Sequence, residues 1–261
     1  MAENRKVVSI EKRIPELKKY RRKKLIRHLA ILIGFFAILI LITLYFISPY
    51  SKVDTIYVSG NRQLTEDEVR KASGIKQGEY VFAINSSNVS DQLEKNELIK
   101  KAKVEKSGIN DYRITITENK TVGYEEKDGG YYDILENGVM LDNKKTSFPI
   151  GNEPLFVGFK NGQVLKDMVS QLNKLDEDIQ GAISEIHLEP TDSDPEHIRL
   201  YMNDGNQVVA SINSFADKMQ YYPSIAAQLN EGQRGVIDME VGSYFQSYYK
   251  QNEEKKQGKS E

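Results

Sequence analysis

Two histidines and four carboxylates crowd one stretch of this chain: His187, Glu189, Asp192, Asp194, Glu196 and His197. Imidazoles and carboxylates hold zinc and calcium, so a metal centre is the first chemistry to weigh. The spacing argues against it. A helical zinc pair sets its histidines four apart, whereas these are ten apart with Pro190 and Pro195 between them. Asp192-x-Asp194 has neither the glycine nor the distal glutamate of a calcium loop. The stretch reads as a solvated acidic loop. Ser73-x-x-Lys76 has the spacing of penicillin-recognising serine enzymes, but no Ser-Asp-Asn or Lys-Thr-Gly follows it. The chain has no cysteine, which excludes disulfides, thiolate metal sites and cysteine nucleophiles. No glycine-rich phosphate loop is present, and neither His187 nor His197 sits in a recognisable triad setting. No catalytic residue, metal, cofactor or small-molecule substrate is expected.

The dominant feature is instead physical. Residues 29–47, LAILIGFFAILILITLYFI, carry no charge, and about 20 apolar residues suffice for a helix to cross a bilayer. Residues 1–28 hold eleven Lys/Arg against three Glu, a net of +8. The rest of the chain holds the other 25 Lys/Arg against 35 Asp/Glu, a net of −10. The positive-inside bias places the basic tail in the cytoplasm and about 210 residues outside, with Tyr45 and Tyr50 at the outer interface. A cleaved signal peptide would have a shorter apolar core and a small-x-small site. Here Ser48-Pro49-Tyr50-Ser51 follows instead. The tail reads as an orientation signal resting near anionic lipid. The acidic outer part makes nucleic acid a poor partner.

These residues need elements to position them. Val53, Ile56 and Val58 mark a short strand, and Gly60-Asn61 a turn whose role is structural. Thr65-x-x-Glu68 reads as a capping box opening a helix that Gly74 closes. Tyr80, Phe82 and Ile84 alternate as an extended segment, and Ser87 or Ser90 is expected to cap a second helix, with Val89, Leu93 and Leu98 near helical spacing. Val104 marks one strand and Ile114 and Ile116 the next, across a turn from Ser107 to Asp111. The order is β-α-α-β-β. Beyond Glu118, Asn137-Gly138 and Asp204-Gly205 are hairpin turns between apolar runs. Helices are expected from Gln163 to Leu175, with Val164, Leu165, Met168, Leu172 and Leu175 on one stripe, and from Ser214 to Leu229, broken near Pro223.

Val236–Val241 is expected to be the last strand and a free edge able to take a partner strand through its backbone. Ile237, Met239 and Val241 would face one way, Asp238 and Glu240 the other, with Tyr244, Phe245, Tyr248 and Tyr249 supplying aromatic surface beside it. The opposing reading is a strand blunted by Asp238 and Glu240, with the tyrosines packed on their own domain.

The ordered set Val53-x-x-Ile56-x-Val58-x-Gly60-Asn61, Leu64-Thr65-x-x-Glu68-Val69, Gly74-Ile75-x-x-Gly78, Phe82-x-Ile84-Asn85, Leu93, Ile99-x-x-Ala102-x-Val104 and Ile114-x-Ile116-x-Glu118 resembles the POTRA module of the FtsQ/DivIB family of bacterial cell-division proteins. Gly138-x-x-Leu141, Pro154-x-x-x-Gly158, Ser184-Glu185-Ile186 and Gly235-Val236-Ile237-Asp238-Met239 resemble that family's β domain. The short tail and the absence of cysteine resemble the Gram-positive DivIB branch, and the likeness covers roughly residues 25–245. It implies an α+β chain: a cytoplasmic tail at 1–28, a single transmembrane helix at 29–47, an extracytoplasmic POTRA domain at 50–120, a mixed β domain with two helices at 121–245, and a disordered tail at 246–261.

The resemblance further implies a non-enzymatic scaffold of the division septum in the cell membrane, single-pass type II. Its partners would be small membrane-anchored coiled-coil division proteins of the FtsL and DivIC/FtsB type, bound at the end of the β domain, and through them the septal peptidoglycan synthase. Two other roles remain open: a POTRA-type docking or chaperone module for envelope protein transport, and a membrane-tethered peptidoglycan enzyme.

Overall fold

The computed structural model describes residues 14–230, 232–240, 242 and 244–248. α1 (Ile14–Ile47) is one helix of 34 residues, so the later part of the basic tail and the apolar run form a single rod about 50 Å long. Every residue from Lys18 to Ile47 is exposed. An apolar helix whose residues all stay exposed needs another apolar solvent, and a bilayer with a core of about 30 Å fits its length. Pro49 prevents continuation, and the Ser51 hydroxyl donates to the Phe46 carbonyl (3.0 Å) and the Ser48 carbonyl (2.8 Å) at the helix end.

The first domain comprises β1 (Ile56–Ser59), α2 (Glu66–Ser73), α3 (Ser86–Leu93), β2 (Ile99–Ser107) and β3 (Asp111–Glu118). The sheet order is β1-β3-β2, with β1 parallel and β2 antiparallel to β3. Val69 and Leu93 from the helices bury against Val104, Ile114 and Ile116 of the sheet. Both halves of the capping box form: the Glu68 amide donates to Thr65 Oγ1 (3.3 Å) and the Thr65 amide to Glu68 Oε2 (2.8 Å). Gly74 closes the helix at φ +71°.

Two local expectations change. Residues 81–83 form a 3-10 turn, not an extended segment. The alternation is real but inverted: Val81 plugs the core while Tyr80 and Phe82 face outward. The turn bonds to itself, Ala83 N–H to the Tyr80 carbonyl at 3.0 Å. Asn85, not Ser87 or Ser90, caps α3. Its Oδ1 accepts from the amides of Ser87 (3.0 Å) and Asn88 (3.2 Å), because Asn85 is the last extended residue before the first turn.

The second domain is a nine-stranded mixed sheet built from β4 (Thr121–Lys127), β5 (Gly130–Leu135), β6 (Met140–Thr146), β7 (Leu155–Val157), β8 (Ile183–Leu188), β9 (His197–Met202), β10 (Gln207–Ser211), β11 (Gly235–Asp238) and β12 (Tyr244–Ser247). Their order is β12-β11-β10-β9-β8-β7-β4-β5-β6. Four helices accompany it: α4 (Gln163–Leu172), α5 (Glu177–Gly181), α6 (Phe215–Met219) and α7 (Tyr222–Ala226). The core sets Leu165, Met168, Val169 and Leu172 of α4 and Phe215 and Met219 of α6 against Phe156, Ile186, Leu200 and Ile237. Val164 is exposed; Val169 takes its place, since 165, 168, 169 and 172 share one helical face and 164 lies off it. Pro223 sits in the first turn of α7, so the break falls just before it.

Candidate interaction edge

The strand order corrects the expected edge. β11 is not terminal: β10 pairs with it in parallel (Val208 with Ile237) and β12 antiparallel (Ile237 with Phe245). Among the described residues the edge is β12, and it carries the sheet to Ser247, past the expected boundary at 245. The site residues divide accordingly. Ile237 and Met239 are fully buried in the core and Val236 and Asp238 half-buried. Glu240 is engaged by His197 Nδ1 at 2.6 Å. Val241 and Tyr249 lie outside the described residues. Tyr244 stands 67% exposed, while Phe245 turns inward onto the core. Sequence reasoning missed Gln246 and Ser247 as strand residues. The available signal was Gly242 at a turn, followed by the alternation of Tyr244, Phe245 and Gln246.

The pairing of β12 depends on small and buried polar groups. A Cβ at Gly235 would lie 2.2 Å from the Gln246 carbonyl oxygen and 2.8 Å from the Phe245 ring, so only glycine lets β12 close. The Gly235 amide donates to Oδ1 of buried Asn206 (3.1 Å), whose own amide donates to Asp204 Oδ1 (3.0 Å). Tyr222 Oη donates to Asp204 Oδ2 at 2.7 Å. Burial alone would raise the Asp204 carboxyl, but the bonds from Asn206 and Tyr222 and the nearby Arg234 charge hold it below its usual range. Burial and the bond to Asp204 push the Tyr222 phenol upward. This latch fixes the β9–β10 turn to α7 and to the start of β11. At the other end of β11, the Met239 amide donates to the Val209 carbonyl (2.8 Å) and the Glu240 amide to Asp238 Oδ1 (2.8 Å).

The two histidines and the serine weighed for chemistry are held in structural bonds. His187 pairs with Glu185 at 2.6 Å on β8 and His197 with Glu240, and among the described residues no three candidate ligands cluster. The Ser73 hydroxyl is buried and donates to the Arg70 carbonyl at 2.7 Å, a helix-end bond. Gly60 has φ +85°, and a Cβ there would meet the Ile116 carbonyl oxygen at 2.0 Å. Asn61 Nδ2 donates to the Leu64 carbonyl (2.8 Å). Glu118 completes that loop, accepting from the amides of Arg62 (2.9 Å), Gln63 (2.7 Å) and Leu64 (3.0 Å).

Residues 51–119 match the FtsQ-type POTRA domain and residues 123–240 the C-terminal domain of cell division protein FtsQ/DivIB. The chain belongs to the FtsQ/DivIB family. Cell division protein DivIB of Listeria monocytogenes is 64% identical over 256 residues, covering 98% of this chain and 95% of its own. Its counterparts in Bacillus subtilis and Geobacillus kaustophilus are each 40% identical over 246 residues, covering 94% of this chain and 93% and 94% of their own. A solved structure, the major extracytoplasmic domain of the trans isomer of DivIB from Geobacillus stearothermophilus, is 37% identical, covers 44% of this chain and 98% of its own, and gives a TM-score of 0.39. In this FtsQ/DivIB chain the POTRA match ends at Asn119, where the three-stranded sheet ends. The C-terminal match ends at Glu240, so β12 lies just beyond it. A role in cell division follows from membership of the family.

Proposed function

We propose that this chain is a non-enzymatic, single-pass scaffold of the division septum that binds other membrane division proteins through the β12 edge. The reading rests chiefly on one observation: β12 ends a nine-stranded sheet, with an exposed tyrosine at its start and no strand outside it among the described residues. An edge strand offers a row of backbone donors and acceptors, and an extended or hairpin segment of a partner can complete it. The fitting partners are small membrane-anchored coiled-coil proteins of the FtsL and DivIC/FtsB type, held near this edge by their own spans, and through them the septal peptidoglycan synthase. The charge asymmetry around α1 supports a cytoplasmic N-terminus and outer domains. The histidines and the Ser73 hydroxyl, tied up in structural bonds, support binding over catalysis.

The test is photocrosslinking in dividing cells, with a photoreactive residue at Tyr244, Phe245 or Gln246, and at Asn61 and Tyr80 for comparison. Crosslinks to small membrane division proteins at Tyr244 and Gln246 but not at inward-facing Phe245 are expected. Crosslinks confined to Asn61 and Tyr80 would move the site to the POTRA domain. An even distribution of the protein around the cell would sink the septal role.

A further inference from the structure

The end of the POTRA domain nearest α1 carries more exposed apolar surface than its position in water would favour. Phe82 is 60% exposed and Ile109 61%, and Tyr80, its ring centroid 5.2 Å from that of Phe82, is exposed as well. These side chains are not at loose ends of chain. Val81, between the two rings, is buried, and its carbonyl accepts the Tyr112 hydroxyl at 3.0 Å. The segment is stitched to the chain leaving the helix. Lys52 bridges to Tyr80, the Val53 amide donates to the Glu79 carbonyl (2.7 Å), and the Gly78 amide to the Val53 carbonyl (2.8 Å). The Phe82 ring stands edge-on to Phe46 of the last turn of α1, with centroids 4.9 Å apart. Ile109 reaches the same end by topology. β1 and β3 run parallel, so both start there, and the Asp54 amide donates to the Asn110 carbonyl (3.0 Å).

We infer that this end of the POTRA domain is a second membrane contact: the Tyr80–Phe82 turn and the Ile109 tip rest in the outer interface of the bilayer that α1 crosses. Phe46 belongs to the apolar run that the bilayer must cover, so a ring stacked against it lies at the same depth. Aromatic side chains favour that interface, their apolar body toward the acyl chains and any polar tip toward water. Lys52, with its ammonium 5.9 Å from the Tyr80 ring centroid, sits where it can reach headgroup phosphates. The three contacts at α1, Phe82 and Ile109 form a tripod rather than a tether. They set the direction in which the second domain, leaving from the opposite end of β3, projects. The inference rests on α1 spanning a bilayer and is independent of what β12 binds.

The chain contains no tryptophan, so a single one reports its own site. Full-length F82W, I109W, Y45W and Y244W proteins would be reconstituted in nanodiscs whose lipids carry bromines on the acyl chains. The expected result is blue-shifted, bromine-quenched emission from F82W, I109W and Y45W, and unquenched emission from Y244W. Quenching of Y45W alone would overturn the tripod and leave the span intact. Water-like emission from all four would overturn the span reading, and the tripod with it. Because Phe82 and Ile109 are both exposed, agreement between the two variants guards against misreading one perturbed turn.

Discussion

At the residue scale, Glu125 is the least comfortable group in the second domain. It lies buried in β4, paired with Phe156 on one side and Tyr132 on the other, and its Oε2 has no hydrogen-bond partner. Burial pushes its carboxyl up to about 7, against the lowering effects of the Gly158 amide and the Lys127 charge. The fold therefore favours the neutral form. Stability is full below the unfolded value of 4.5, is lost progressively as pH rises toward 7, and levels off above that. Urea titrations from pH 4.5 to 8 should show a decline of roughly 3 kcal/mol that E125Q abolishes, leaving the variant the more stable at pH 8. An equal slope in both proteins would place the pH dependence elsewhere. Residues acting on near neighbours were readable from sequence, as with Thr65, Glu68 and Gly74. Glu118 was not, because the three amides it receives lie 54 to 56 positions away.

At the element scale the same division holds. The POTRA order, both hairpin turns and the α4 stripe follow from local chemistry, since period, cap and turn residues are all written within a dozen positions. The parallel pairings of β1 with β3, β4 with β7 and β10 with β11 are set by crossover topology, which no local pattern encodes. The expected sheet edge differs from the observed one for this reason: Gly235–Asp238 reads as a strand, but its rank in the sheet depends on a four-residue neighbour whose turn is marked only by Gly242. The edge hypothesis makes a separable prediction here. G235V should force β12 off, because its Cβ would overlap the Gln246 carbonyl, while the buried centre of the sheet stays folded. Hydrogen exchange should rise sharply at 244–247 and little at 198–202, and crosslinking from position 244 to membrane partners should fall at least about tenfold, as loss of 1.4 kcal/mol or more of binding energy implies. Unchanged crosslinking with deprotected β12 would mean that the partner reads side chains, not the paired strand.

At the scale of the whole molecule, the proposed binding at the edge strand of the second domain would depend on how rigidly the first domain aims it. Only Asn119 and Lys120 separate β3 from β4, and the joint is braced across the gap. Glu136, on the β5–β6 turn, accepts the Lys100 ammonium at 2.8 Å and the Lys120 amide at 3.0 Å. Asn137 Nδ2 donates to the Glu97 carbonyl (3.0 Å), as does Asn119 Nδ2 (2.8 Å). Burial would raise the Glu136 carboxyl, but the bonds from Lys100 and Lys120 and their charges hold it below its ordinary range. The brace is therefore present at neutral pH and weakens only as pH falls through that lowered value. Lys100 is half exposed, which limits the ion pair's worth, and E136A should cost about 1–2 kcal/mol in all. Its larger effect should be on geometry. The chain has no cysteine, so E105C and K160C accept a single pair of spin labels, one per domain. Their distance distribution should be narrow in the parent and broaden or split with E136A, while each domain keeps its own hydrogen-exchange protection. If the distribution stays narrow, buried Asn119 and its bonds to Glu97 and Leu98 set the angle alone, and N119A becomes the change that frees the second domain to swing against the first.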